Sequence, residues 1–286
     1  MHKTLCLALL LAASAAHALS DSEKTALIAA AQQAYQRQDY ATAREKWQTL
    51  AETGDADAQH ILGYFYYNGQ GVAQDYGKAR EWWEKAAAQE NASAANNLGL
   101  LYKEGQGVAQ DYAQARAWYE KAAAQGNTGA QFNLGLLYDE GKGVTQDYTQ
   151  AAAWYEKAAV QGLVQAQYNL GVLYRDGQGV AQDYGKARTW FEKAAAQNFA
   201  PAQFNLGVLY RDGQGVAQDY GQARAWFEKA AAQKGNKEAQ QIAQQALQEL
   251  DIADGQKPWH PDPAAQERER IREVIQRLVE GKGGTP

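Results

Sequence analysis

Apolar positions along the chain recur at helical spacing, and the helical stretches come in pairs. Ala166, Leu170, Leu173 and Tyr174 fall at i, i+4, i+7 and i+8, one face of a 3.6-residue period. Gly177 and Gly179 follow, where glycine tolerates positive φ, ends the helix and turns the chain. Asp183 stands where an N-cap belongs, its carboxylate placed to accept from the first free N–H groups of a second helix. That helix runs roughly to Gln197, with Tyr184, Ala187, Trp190, Phe191 and Ala194 expected inward and Lys193 near its negative pole.

The pair repeats with a fixed step of 36 residues, seen in Gly63, Gly99, Gly135, Gly171 and Gly207 and in Trp82, Trp118, Trp154, Trp190 and Trp226. Asp75-Tyr76, Asp111-Tyr112, Asp147-Tyr148, Asp183-Tyr184 and Asp219-Tyr220 keep the same step. A period of this size means stacked supersecondary units. Residues 165–197 and 201–233 agree at 29 of 33 positions, which points to duplication of one unit. Glycine inside a helix costs about 1 kcal/mol relative to alanine. Its return at one place in five units therefore predicts close helix approach, with Ala79, Ala115, Ala151, Ala187 and Ala223 as the matching shallow surface. The Trp column is expected to fill the space between hairpins. No single hairpin buries both faces, so the units must stack.

The string A-Q-x-N-L-G-x-L-Y-x-x-G-x-G-V-x-x-D-Y-x-x-A-x-x-W-(Y/F)-E-K-A-A resembles the Sel-1-like repeat, a relative of the tetratricopeptide repeat. The resemblance covers residues 55–234 in five copies. It implies an all-α, right-handed superhelical solenoid of antiparallel helix pairs, with first helices lining a concave face. It also implies a binding scaffold for a protein or peptide, in envelope assembly, signalling or host-cell contact.

The ends depart from the repeat. Residues 1–18 read as a signal peptide: Lys3 at the start, an apolar run from Leu5 to Leu11, and Ala16-His17-Ala18 as the cleavage pattern. The run is shorter than the ~18–20 residues that span a bilayer, so no integral membrane segment is expected after cleavage, and the protein is expected in the periplasm or outside the cell. Residues 19–54 read as an N-terminal capping hairpin without the Gly-x-Gly loop. Residues 235–254 read as a capping helix, and 255–261 as a linker, because Lys257-Pro258-Trp259-His260-Pro261 cannot continue a helix. Residues 262–286 carry an amphipathic stripe of Ile271, Val274, Ile275, Leu278 and Val279. It is expected to cover the last hairpin or to mediate self-association.

Composition narrows the chemistry. The formal charge is -5, and loss of Lys3 with the leader makes it -6, so a nucleic-acid surface is not expected. The single cysteine, Cys6, lies in the leader, which excludes a disulfide framework and cysteine zinc sites from the mature chain. No cofactor is expected, and no catalytic residue is assigned. Ser20, Ser22 and Ser93 and the histidines His60 and His260 form no recognisable nucleophile–base set. His60 shares its position with Asn96, Phe132, Tyr168 and Phe204, which favours a packing role. The alternative is a hydrolase of the kind linked to β-lactam or cell-wall chemistry among cysteine-rich relatives of the family, with Ser93 as the residue to test.

Two sets of first-helix positions remain as candidate partner-binding residues. Asn97, Asn133, Asn169 and Asn205 recur once per unit and offer amides for an extended peptide backbone, or for a neighbouring helix. Lys103, Asp139, Arg175 and Arg211 share one drifting position. With Tyr168 and Phe204, the two arginines make an aromatic–basic strip suited to an acidic segment or a C-terminal carboxylate.

Overall fold

The computed structural model describes residues 19–233 and 237–255. The expected leader, Lys234, the linker from residue 256 onward and the tail helix 262–286 lie outside the described residues. Those described form thirteen helices and no strand. In chain order they are α1 (Asp21–Gln36), α2 (Tyr40–Glu52), α3 (Ala56–Asn68), α4 (Tyr76–Ala88), α5 (Ala92–Glu104), α6 (Tyr112–Ala124), α7 (Thr128–Glu140), α8 (Tyr148–Val160), α9 (Val164–Asp176), α10 (Tyr184–Ala196), α11 (Ala200–Asp212), α12 (Tyr220–Ala231) and α13 (Lys237–Gly255). None is long and apolar enough to cross a membrane.

The chain divides into two compact units, Met1–Ala130 and Gln131–Pro286, the division falling within α7. In the first unit α1–α2, α3–α4 and α5–α6 are hairpins, and α2 also packs on α3 and α4 on α5. In the second, each helix from α8 to α13 packs on its neighbour in sequence.

Local chemistry sets the helix ends. Asp39, Asp75, Asp111, Asp147, Asp183 and Asp219 cap the second helices, each carboxylate accepting from backbone N–H groups of the first turn. Ser20 and Glu23 form a reciprocal capping box on α1. Asp55 and Asn91 cap first helices in the same way, whereas Leu163 and Phe199 offer no side-chain cap. At the other end of α9, Gly177 takes φ 68° and its N–H bonds to the Leu173 carbonyl. Two residues on, Gly179 (φ 67°) lies against the backbone of Tyr148 and Thr149 at the start of α8, with no room for a Cβ. The Gly-x-Gly loop thus ends one helix and seats the turn on the preceding repeat. A glutamine pins it from the other side: Gln182 Nε2 donates to the Arg175 carbonyl at 2.8 Å, and Gln74, Gln110, Gln146 and Gln218 repeat the bond.

The core differs from the expectation in one respect. Within the five repeats the fully buried aromatic of the second helix is Trp83, Tyr119, Tyr155, Phe191 or Phe227, one residue after the recurring Trp. Trp82, Trp118, Trp154, Trp190 and Trp226 are only half-buried. Each lies under a lysine one turn on, as with Lys157 Nζ 3.7 Å and Lys193 Nζ 3.9 Å from the ring centres of Trp154 and Trp190. Ala187, Phe191 and Ala194 (i, i+4, i+7) centre the buried stripe on residue 191, and the neighbouring position, rotated by about 100°, falls at its margin. The helical glycines face these rings first: a Cβ on Gly171 would stand 2.7 Å from Phe191 Cε1 and 3.3 Å from the Ala187 carbonyl oxygen, and one on Gly99 2.5 Å from Tyr119 Cε1. The absent side chain makes the seat for the ring.

Buried amides add a polar thread. Gln167 Nε2 donates to the Ala159 carbonyl at the end of α8 (3.1 Å), and its Oε1 accepts from Gln197 after α10 (2.9 Å). Gln203 and Gln233 repeat this within the second unit, and Gln59 and Gln89 within the first. At 2–5% exposure Gln59, Gln167 and Gln203 would be costly without partners; with them they fix the register of one repeat on the next.

Candidate partner-binding face

Each first helix sends one stripe inward and leaves another on the surface. On α9 the inward stripe is Ala166, Gln167, Leu170, Gly171 and Leu173. The rest of that face carries the drifting positions.

The asparagine column is largely spent on neighbouring helices. Asn97 is 8% exposed, and its Nδ2 donates to His60 Nε2 at 3.1 Å, which requires the imidazole to be unprotonated at that nitrogen. Burial pushes the His60 pKa below its ordinary range, against a smaller opposing pull from Asp57. Asn169 bonds the Tyr155 hydroxyl, which in turn donates to Asp139 Oδ2 at 3.0 Å. Burial, with Asp139 nearby, drives the Tyr155 pKa far above that of a free phenol, so the hydroxyl stays a donor. Asn205 is 2% exposed: it donates to the Pro201 carbonyl (2.9 Å) and Tyr168 Oη (3.4 Å) and accepts from Arg175 Nη1 (2.6 Å). Asn133 is half-buried on α7.

Tyr168 (4% exposed) and Phe204 (8%) lie in the core. Tyr168 packs on Phe191 and Phe199, and Phe204 on Phe227. They form the floor beneath the surface rather than part of it. Arg175 and Arg211 remain at the rim. Arg175 grips Asp176 with two bonds of 2.7 and 2.8 Å, and Arg211 grips Asp212 at 2.7 and 3.1 Å. Burial acts against the Arg175 charge, but Asp176 more than offsets it and its pKa ends above the usual arginine value. The basic strip is therefore a row of Arg–Asp pairs, largely neutralised within itself. At the same position Lys103 pairs with Glu104 at 3.3 Å.

The first unit holds an aromatic cluster that the column comparison of the sequence passed over. Tyr64 of α3 is 46% exposed. Its ring makes T-shaped contacts with His60 (5.6 Å), Tyr67 (6.4 Å) and the buried Trp83 (6.0 Å). Trp83 Nε1 donates to the His60 carbonyl at 3.0 Å and is itself fixed. Leu100, Leu136, Val172 and Val208 occupy the equivalent of Tyr64. That contrast is visible in the sequence and was the available signal.

Five consecutive matches to the Sel1 repeat model cover residues 56–91, 92–127, 128–163, 164–199 and 200–235, more than half of the chain. The chain belongs to the Sel1 repeat family. Its helix pairs are those of the family's solenoid fold. A protective antigen of uropathogenic Escherichia coli, c5321, with an SLR fold, is 35% identical over 88% of this chain with a TM-score of 0.75; the chain spans 54% of that protein. A Sel1 repeat protein from Oxalobacter formigenes is 32% identical over 74% of this chain and 87% of its own, with a TM-score of 0.68. No curated protein is significantly similar.

Proposed function

We propose that this Sel1 repeat protein is an exported protein-binding scaffold that holds a segment of a partner on the face of its first helices. The observation that carries this reading is the division of labour within the repeat. The inward positions stay nearly constant, while one surface position runs Tyr67, Lys103, Asp139, Arg175, Arg211 on equivalent backbone. Asp139 and Arg175 also bond the buried Tyr155 and Asn205, but the change of charge from repeat to repeat leaves the constant frame unaltered, and recognition uses such variation. Within the second unit, Arg175 and Arg211, with their paired aspartates, and the half-buried Asn133 and Asn169 form the polar wall, with Asn205 buried beneath it. Tyr168 and Phe204 make its floor. The hydrolase alternative has less support: His60 Nε2 is taken by Asn97, and Ser93 lies on the exposed side of α5. Export to the periplasm or beyond rests on the leader pattern of residues 1–18, and contact with host cells on likeness to a protective antigen.

Photo-crosslinking residues placed singly at 103, 175 and 211, and on exposed second-helix positions 84, 120 and 192, test the reading in the native host. A discrete partner captured from the first-helix positions alone is expected. Equal capture from both sets, or capture only from the second helices, overturns it.

A further inference from the structure

The cluster on α3 offers chemistry that the other repeats lack. Asp57, His60, Tyr64 and Tyr67 fall at i, i+3, i+7 and i+10, within one sector of the helix surface. Tyr64 is nearly half exposed, yet its ring is fixed by edge contacts to three neighbours, one of which, Trp83, is fully buried. The fold does not need a tyrosine here, since Leu or Val serves in the other four repeats. Asp57 is equally specific to this repeat, with Ser93, Gly129, Gln165 and Pro201 at its equivalents. Its Oδ1 accepts from Asn91 Nδ2 at 2.9 Å, which holds the exposed carboxylate in place. The charge balance around the ring favours a cation. His60, between Asp57 and Tyr64, is held neutral by burial and by its bond to Asn97, and Lys103 on the adjacent helix α5 is paired with Glu104. Asp57 therefore sets the sign of the patch, and the half-exposed Tyr64 adds an aromatic ring whose quadrupole is negative on its faces.

We propose that the Asp57–Tyr64 surface of the first Sel1 repeat docks an extended, basic segment of a partner protein, one arginine or lysine stacking on the Tyr64 ring and a second pairing with Asp57. The two anchors are seven residues apart on a helix, a rise of about 10 Å. Three residues of extended chain cover the same distance at about 3.3 Å each, so the recognised pattern is two basic residues three positions apart. A ring already immobilised loses little side-chain entropy on contact. The proposal rests on the scaffold reading and names the partner chemistry of one end of it.

The test is fluorescence anisotropy of the purified protein with three labelled peptides, built from Arg-Gly-Ser, Glu-Gly-Ser and Pro-Gly-Ser triplets. The arginine peptide is expected to bind. Tyr64→Leu, which installs the residue of α5 and α7, should weaken it about tenfold, and Asp57→Asn about threefold, with unchanged circular dichroism, while Tyr64→Phe keeps most of the affinity. Absence of arginine-peptide binding, affinity indifferent to Tyr64→Leu, or preference for the proline peptide overturns the proposal. Binding of the glutamate peptide, lost on Arg175→Gln with Arg211→Gln, would also overturn it and leave the scaffold reading standing. A failure of the scaffold reading itself would appear in the crosslinking pattern instead.

Discussion

Helices α3 and α9 share a core and differ at the surface. Ala58, Gln59, Leu62 and Gly63 are buried on α3, as Ala166, Gln167, Leu170 and Gly171 are on α9. Opposite the glycine, α4 supplies Trp83 and α10 supplies Phe191. The indole fills its seat, uses its N–H on the His60 carbonyl, and leaves Tyr64 propped at the surface. The smaller phenyl ring leaves room for Tyr168 to fold inward against it, and Arg175 closes over the top through Asn205. One exchange in the buried column thus goes with a different surface two turns along the helix: an exposed aromatic with a carboxylate in one repeat, self-paired Arg–Asp groups in the other. A repeat frame can alter what it displays without altering how it stacks.

The largest expected effect tests whether the two seats are equivalent. Trp83→Ala and Phe191→Ala should each cost ~3–5 kcal/mol, as losses of buried aromatics do, whereas Trp82→Ala and Trp190→Ala should cost about 1 kcal/mol, close to a partly exposed cation–π contact. Urea denaturation followed by circular dichroism separates the columns, and similar losses at residues 190 and 191 would remove the distinction. A smaller effect, opposite in sign between two repeats, comes from the tyrosines between these extremes. Tyr155 donates to Asp139, while the buried Tyr119 hydroxyl has no hydrogen-bond partner among the described residues. Tyr155→Phe should destabilise by ~1–2 kcal/mol and Tyr119→Phe should be neutral or stabilising, read from the same denaturation midpoints.

The smallest effect is electrostatic. His60 has its pKa lowered in the fold, so its contribution to stability is fully present above the free imidazole value of about 6.5 and is lost as pH falls from there through the folded value. Melting temperature should decline between about pH 7.5 and 5.5, and His60→Asn, the residue at position 96, should flatten that decline. An unchanged slope would mean that His60 does not titrate with unfolding.

Much of this protein is written in single residues. The aspartates before each second helix cap it because a short carboxylate reaches the first N–H groups whatever the rest of the chain does. The paired glycines end each first helix because they accept a left-handed backbone at little cost. The repeat period and the family follow from the same positions, and so does the constant frame of the core. These are local or periodic features, and local physics decides them.

What the tertiary structure alone decided is which of two adjacent candidates wins. Trp190 and Phe191 both suit an apolar stripe, and only the cleft opened by Gly171 selects the second, because a close-packed seat admits one ring. Asn205 reads as an amide for a partner or for a neighbouring helix until Tyr168 and Arg175, from the first helix of the preceding repeat, bond it. Arg175 reads as part of an aromatic–basic strip until Asn205 of the next repeat takes its Nη1. Hydrogen-bond and charge partners depend on where the next repeat places its side chains, and a list of residues does not contain that distance.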